Sequence, residues 1–166
     1  METTHPGVLF VCMGNICRSP TAEGVFRFAA KQRGCLDSMT IDSAGTLGLH
    51  AGEPPDRRAI MAAQKRGYDI SMYRARPISE VDFERHNWII AMDLSNLRSL
   101  QELCPLGYSG HLGLLLDLVP NLGIREVPDP YYGGAAGFER VLDLVEIGTA
   151  ALLERIDPTS TTVPRQ

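Results

Sequence analysis

Cys12 and Arg18, separated by five residues, are the two side chains near the start of the chain that could do chemistry together. They lie in the run Val8-Leu9-Phe10-Val11-Cys12-Met13-Gly14-Asn15-Ile16-Cys17-Arg18-Ser19-Pro20. The thiolate is the nucleophilic form of cysteine, and a helix N-terminus or a nearby guanidinium favours it. Arg18 offers a planar fork that can hold two oxygens of a phosphate at once. The backbone N–H groups of the short loop between them can take up negative charge as it shifts during reaction. Thiol, guanidinium and loop together suit attack on phosphorus through a covalent S–P intermediate. From residue types alone, two other readings stay open. Cys12 could be a buried strand-end thiol, because free cysteine is among the most buried residue types. It could also join Cys17 in a zinc site, although Cys35 and Cys104 supply no second close pair and no neighbouring histidine. A nucleotide P-loop does not fit, since no Gly-Lys-Ser/Thr follows Gly14.

The elements around the loop must position these groups. The apolar run Val8–Cys12 reads as a buried strand. Ser19 suits an N-cap and Pro20 the first helical position, where a missing N–H costs nothing. Strand, tight loop and helix N-terminus together predict an anion site. Ala22, Val25, Phe26, Ala29 and Ala30 then give one apolar helix face, with Gly34 as its stop. Met39–Ala44 reads as a second strand, and Gly45-Thr46-Leu47-Gly48 as a loop. Pro54-Pro55-Asp56 introduces a short helix through Arg66, bounded by Gly67. A turn of helix is expected within Ile78 to Phe83, a third strand at Trp88–Ala91, and a helix from Leu94 to Leu103 that breaks at Pro105. Leu112–Leu116 reads as the fourth strand. A loop containing Pro128-Asp129-Pro130-Tyr131-Tyr132-Gly133-Gly134 precedes a final helix, on which Phe138, Val141, Leu142, Val145, Thr149, Leu152 and Ile156 share one side. Gly148 inside that helix costs about 1 kcal/mol relative to alanine. Strands alternating with helices predict an α/β fold with a parallel sheet. In such sheets ligands bind beyond the C-terminal ends of the strands, where the Cys12 loop falls.

At 166 residues the chain is expected to form one domain, spanning 1–158, with a loose tail at 159–166. Hydrophobic content of 44% and charged content of 22% are ordinary for a soluble globular protein. A net charge of −4 argues against a broad nucleic-acid surface. No apolar stretch is long enough to span a membrane, and no basic region precedes Val8 as a secretory signal would require. Four cysteines without a small-scaffold pattern suggest reduced thiols in a cytoplasmic protein.

Cys12-Met13-Gly14-Asn15-Ile16-Cys17-Arg18-Ser19-Pro20 resembles the signature of the low-molecular-weight protein tyrosine phosphatases. Asp42-Ser43-Ala44-Gly45-Thr46 with Pro54-Pro55-Asp56, and Asp129-Pro130-Tyr131-Tyr132-Gly133, agree in order and spacing. The similarity runs from about Val8 to Ile156. It implies a single α/β domain with a four-stranded parallel sheet and helices on both faces. It also implies a phosphatase acting on phosphotyrosine proteins, monomeric, independent of metal or cofactor, and inhibited by phosphate-like oxyanions. Cys12 would be the nucleophile and Arg18 the phosphate clamp, within a phosphate-binding loop of Met13, Gly14, Asn15, Ile16, Cys17, Arg18 and Ser19. Ser19 would hydrogen-bond the sulfur, while Asn15 and Ser43 would brace the loop. Asp129 would protonate the leaving phenolate and later take a proton from water. Tyr131, with Tyr132, Leu49 and His50 near the rim, would shape a slot that phosphotyrosine can fill and phosphoserine is too short to use. Cys17 would form a disulfide with Cys12 on oxidation, shielding the nucleophile.

One position departs from the family pattern. Where members commonly carry a histidine supporting the loop, Tyr73 stands here, and its phenol is expected to supply a hydrogen bond but no charge. Three rivals frame the reading. A phosphoarginine phosphatase of the same fold tends to have threonine in place of Ile16, whose bulk favours an aromatic ester. A thiol-linked arsenate reductase needs closely spaced resolving cysteines downstream, which Cys35 and Cys104 do not provide. A phosphate-binding module would need neither Cys12 nor Asp129.

Overall fold

Alternation along the first strand divides the apolar side chains of the chain between two layers. In the computed structural model, which describes residues 5–157, strand β1 (Gly7–Cys12) is buried along its whole length. Val8, Phe10 and Cys12 face one core, with Ile90 and Met92 beside them, and Leu9 and Val11 face the other, with Ile89 and Ala91. This period of two is the strand's own geometry. Helix α1 (Arg18–Arg33) and α5 (Ala135–Ile156) cover the first face, with α2 (Arg57–Lys65) beside them. Helices α3 (Val81–Arg85) and α4 (Leu94–Leu103) cover the second through Phe83 and Leu100. Strands β2 (Thr40–Gly45), β3 (Trp88–Ala91) and β4 (His111–Leu114) complete a parallel sheet of order β2-β1-β3-β4. Helices on both faces of a four-stranded parallel sheet are the architecture expected. The domain limit at 158 and the tail at 159–166 lie outside the described residues.

Three elements differ from the sequence reading by more than one residue at a boundary. The fourth strand ends at Leu114, and Leu116–Leu118 form a 3₁₀ turn. Leu115, Leu116 and Leu118 are nonetheless buried in the core. A continuous apolar run marks burial but cannot distinguish a strand from a buried turn. Helix α3 starts at Val81 and runs on to Arg85, later than expected. Helix α1 begins at Arg18, so Ser19 and Pro20 lie inside its first turn, and no side chain caps it. By contrast Asp56 caps α2 through Arg58 N–H, and Asp93 forms a capping box with Asn96 at α4.

Candidate active site

Cys12 ends β1, and the chain turns there because the neighbouring strand holds it. Thr46 N–H donates to the Cys12 carbonyl at 2.9 Å, and Leu47 N–H to that of Met13 at 3.0 Å. A Cβ at Gly45 would lie 2.8 Å from the Met13 oxygen, so this close approach needs glycine. The left-handed residue of the loop is Asn15, at φ 56°, and not Gly14. Gly14 serves closeness instead, since a Cβ there would lie 3.2 Å from the His50 ring. The loop then runs directly into α1, whose first N–H groups have no partner within the helix.

Behind the loop a buried network fixes Asn15. Its side-chain amide donates to Ser19 Oγ at 2.7 Å and Ser43 Oγ at 3.1 Å, and its Oδ1 accepts from Arg76 N–H at 3.0 Å. Ser19 Oγ lies 3.0 Å from Cys12 Sγ. Ser43 in turn donates to Glu23 Oε1 at 2.8 Å, and Arg27 Nε donates to Glu23 Oε2 at 2.8 Å. Burial raises the Glu23 pKa above the usual carboxylate range, against the opposing pull of Arg27 and Ser43. Glu23 escaped the sequence reading; its only signal was an acid between the apolar positions Ala22, Val25 and Phe26 of α1.

Tyr73 is not part of this network. Among the described residues its phenol makes no hydrogen bond to the loop, and the side chain packs against the core near Gly24. Burial raises its pKa to about 12, with Glu23 adding to the effect. The expected loop support at this position is therefore corrected. Glu23 with Arg27 reaches the loop directly through Ser43, and Tyr73 fills space beside it.

On the open side, Arg18 is held from two directions. Its Nη1 donates to Asp93 Oδ2 at 2.6 Å and to the Val127 carbonyl at 3.0 Å. Burial pulls the Arg18 pKa down, yet Cys12, Asp93 and Asp129 outweigh it and hold the guanidinium firmly charged. Asp93 also was not read from the sequence, although an acid two residues beyond β3 and capping α4 marks the C-terminal end of the sheet. Asp129 Oδ2 sits 3.8 Å from Arg18 Nη2. A cleft of about 160 Å³ is lined by Cys12, Met13, Gly14, Ile16, Cys17, Arg18, Leu49, His50, Asp129, Tyr131 and Tyr132. Folding thus gathers there the loop, the acid and the rim residues taken from three separate stretches. Cys17 lies in the same cleft, its pKa raised to about 12, by burial first and then by Asp56 and Cys12. No group of three His, Cys, Asp or Glu side chains among the described residues could hold a metal ion, so the zinc reading of Cys12 and Cys17 finds no further ligands. The larger hollow, about 900 Å³ beside Trp88 and His111, lies at the opposite end of the sheet and contains none of these residues.

A family model described as low molecular weight phosphotyrosine protein phosphatase matches residues 7–161. The chain belongs to this family. It is similar to the low molecular weight protein-tyrosine-phosphatase YfkJ of Bacillus subtilis, with 41% identity over 149 residues, covering 90% of this chain and 94% of the relative. It is 36% identical over 160 residues to the low molecular weight phosphotyrosine protein phosphatase of Homo sapiens, covering 93% and 98%. Among solved structures, a protein tyrosine phosphatase from Entamoeba histolytica with Hepes in its active site superposes with a TM-score of 0.88. That match has 37% identity and covers 92% of this chain and 97% of the other.

Proposed function

We propose that this member of the family hydrolyses phosphotyrosine on proteins through a cysteinyl-phosphate intermediate. The observation that carries the reading is the convergence of Cys12, Arg18 and Asp129 on one small cleft, with Tyr131 in its wall. The phosphoryl group enters with its oxygens on Arg18 and the loop N–H groups. Cys12 Sγ attacks phosphorus; the S–P bond forms as the P–O bond to the ring breaks. Asp129 gives its proton to the departing phenolate oxygen, because an unprotonated phenolate is a poor leaving group. Water then attacks phosphorus while Asp129 takes its proton, the S–P bond breaks, and inorganic phosphate leaves with the thiolate regenerated. Ser19, 3.0 Å from Sγ, donates to the sulfur when it carries charge.

The apolar and aromatic walls supplied by Ile16, Leu49, Tyr131 and Tyr132 favour an aryl ester over an alkyl one. The cradle would also bind phosphate-like oxyanions, which then act as competitive inhibitors. Neither nucleic acid nor membrane enters this reading. No helix among the described residues is long and apolar enough to cross a membrane. All four cysteines are free, which suits a monomeric protein in the reducing cytoplasm. Under oxidation, peroxide converts the Cys12 thiolate to a sulfenic acid and releases hydroxide; Cys17 then attacks that sulfur, the S–O bond breaks, and the disulfide forms with release of water.

The deciding experiment is turnover of phosphotyrosine, phosphoserine and phosphoarginine peptides, with Cys12→Ser as control. Phosphotyrosine alone should be hydrolysed, and Cys12→Ser should abolish turnover while retaining inorganic phosphate binding. Substantial hydrolysis by Cys12→Ser would sink the covalent mechanism, and preference for phosphoarginine would reassign the substrate. Peptide mass mapping of peroxide-treated protein should find Cys12 joined to Cys17; pairing elsewhere removes the protective role.

A further inference from the structure

Arg58 commits its whole guanidinium to one junction. Its Nε and Nη2 donate to the two carboxylate oxygens of Asp56 at 3.0 and 2.9 Å. Nη2 also donates to the Tyr131 carbonyl at 3.1 Å, and Nη1 to that of Gly133 at 3.4 Å. The guanidinium carbon lies 4.8 Å from the Phe138 ring centroid and 5.6 Å from that of Tyr131. Asp56, for its part, donates its backbone N–H to the Ile16 carbonyl at 2.8 Å. A single ion pair therefore joins the phosphate-binding loop, the start of α2 and the segment that carries Asp129.

That segment has few other hydrogen bonds, although Asp129 Oδ2 faces Arg18 Nη2 at 3.8 Å and buried Pro130 lies against Gly137 of α5. At its beginning Val127 N–H donates to the Met92 carbonyl at 2.9 Å, and the Val127 carbonyl accepts from Arg18. Within it, Tyr131 N–H donates to Asp129 Oδ1 at 3.0 Å and Gly133 N–H to the Pro130 carbonyl at 3.1 Å. These internal bonds hold the shape of the turn without fixing where it sits. Among the described residues, the hydrogen bonds that tie 131–133 to another element come from Arg58. Asp129 lies between the Val127 anchor and the Arg58 anchor.

We infer that Arg58 is a positioning residue for the general acid. Paired with Asp56, it holds the 129–133 turn against the phosphate loop so that Asp129 faces the leaving oxygen. The inference rests on the reading of Asp129 as that acid. An exposed ion pair by itself would add little stability, typically about 0–1 kcal/mol, so the kinetics of the acid step are the place to look. Misplacing a catalytic group by about 1 Å can cost on the order of 100-fold.

The test is kcat/KM across aryl phosphates of falling leaving-group ability, because this quantity reports steps up to loss of the phenolate. Arg58→Met keeps a stem over Phe138 and removes every donor, while Arg58→Lys keeps the charge and loses the fork. Arg58→Met should lower kcat/KM about tenfold for phenyl phosphate and less than about threefold for 4-nitrophenyl phosphate. Arg58→Lys should fall between Arg58→Met and the parent protein. The inhibition constant of inorganic phosphate should stay within about twofold, since the cradle itself is intact. In an Asp129→Ala background, Arg58→Met should cause no further loss that depends on the leaving group. An equal loss across the series, the same loss with and without Asp129, or weakened phosphate binding would each overturn the assignment. A steep series for Asp129→Ala beside a flat one for Arg58→Met overturns this inference alone. A flat series for Asp129→Ala overturns the acid itself, and the inference with it.

Discussion

The Ser19 hydroxyl has one proton, and its neighbours decide where that proton points. Arg27 donates to Glu23, which therefore presents its other oxygen as an acceptor to Ser43. With its proton given to Glu23, Ser43 Oγ accepts from the Asn15 amide, which also donates to Ser19. Ser19 thus receives a hydrogen bond on its lone pair and keeps its own proton free. The Cys12 sulfur, at 3.0 Å, is nearer than the Ala44 carbonyl at 3.4 Å. Glu23 therefore bears on the sulfur through the order of donors and acceptors along this chain of hydrogen bonds. Glu23→Gln would turn an amide donor toward either Arg27 or Ser43 and break this order. It should cost about 1.5–3 kcal/mol of stability, the usual range for hydrogen bonds to charged groups, and lower kcat/KM as well. Tyr73→Phe removes a hydroxyl outside the network and should change stability by no more than about 0.5 kcal/mol. Urea unfolding of the two variants side by side checks both, and equal effects would return loop support to Tyr73.

Helix α5 carries a glycine where helix propensity argues for alanine. A Cβ on Gly148 would lie 2.5 Å from Leu115 Cγ and 2.8 Å from its Cδ2. Leu115 is fully buried at the point where the chain leaves β4, so it has no space to yield. The glycine lets the helix approach the end of the sheet closely. Gly148→Ala gains about 1 kcal/mol from propensity but meets overpacking that typically costs about 1–3 kcal/mol. It should destabilise, by up to about 2 kcal/mol net, measured as a lowered urea midpoint with an unchanged m-value. A stabilised variant would show that α5 can shift away from Leu115.

At the scale of the molecule, the candidate site and a knot of strand-tying hydrogen bonds sit at opposite ends of the sheet. Cys12, Asp93 and Asp129 gather at the C-terminal ends of the strands, as parallel sheets favour. At the other end Asn87 ties β1 to β4, exchanging hydrogen bonds with Gly7 and accepting from His111 N–H. His86 beside it is 3% exposed and hydrogen-bonded to the Asp82 carbonyl. Burial lowers its pKa below the ordinary 6.5, against the pull of Asp82. The unfolded chain therefore takes up this proton first as pH falls. Stability from His86 is full above about pH 6.5 and is lost as the pH drops through the lower folded value. Urea unfolding between pH 8 and 5 should show this decline, and His86→Gln should make it shallower; identical slopes would place the proton elsewhere.

The sequence by itself determined the nucleophile, the clamp and the acid as candidates, because the chemistry of the site demands those residue types in distinctive local motifs. It also determined the α/β class, since strand and helix periodicities are local. The supporting partners were decided by tertiary structure. Glu23 is an acid on a buried helix face, Asp93 a capping residue and Arg58 one of several surface arginines, and nothing local separates them from ordinary members of those classes. Only the folded chain brings Glu23 to Ser43, Asp93 to Arg18 and Arg58 to the Tyr131 carbonyl. The same reason moved the loop's support from Tyr73 to Glu23 and ended the fourth strand at Leu114. A motif carries its chemistry in neighbouring residues, whereas positioning depends on contacts between residues far apart in the chain.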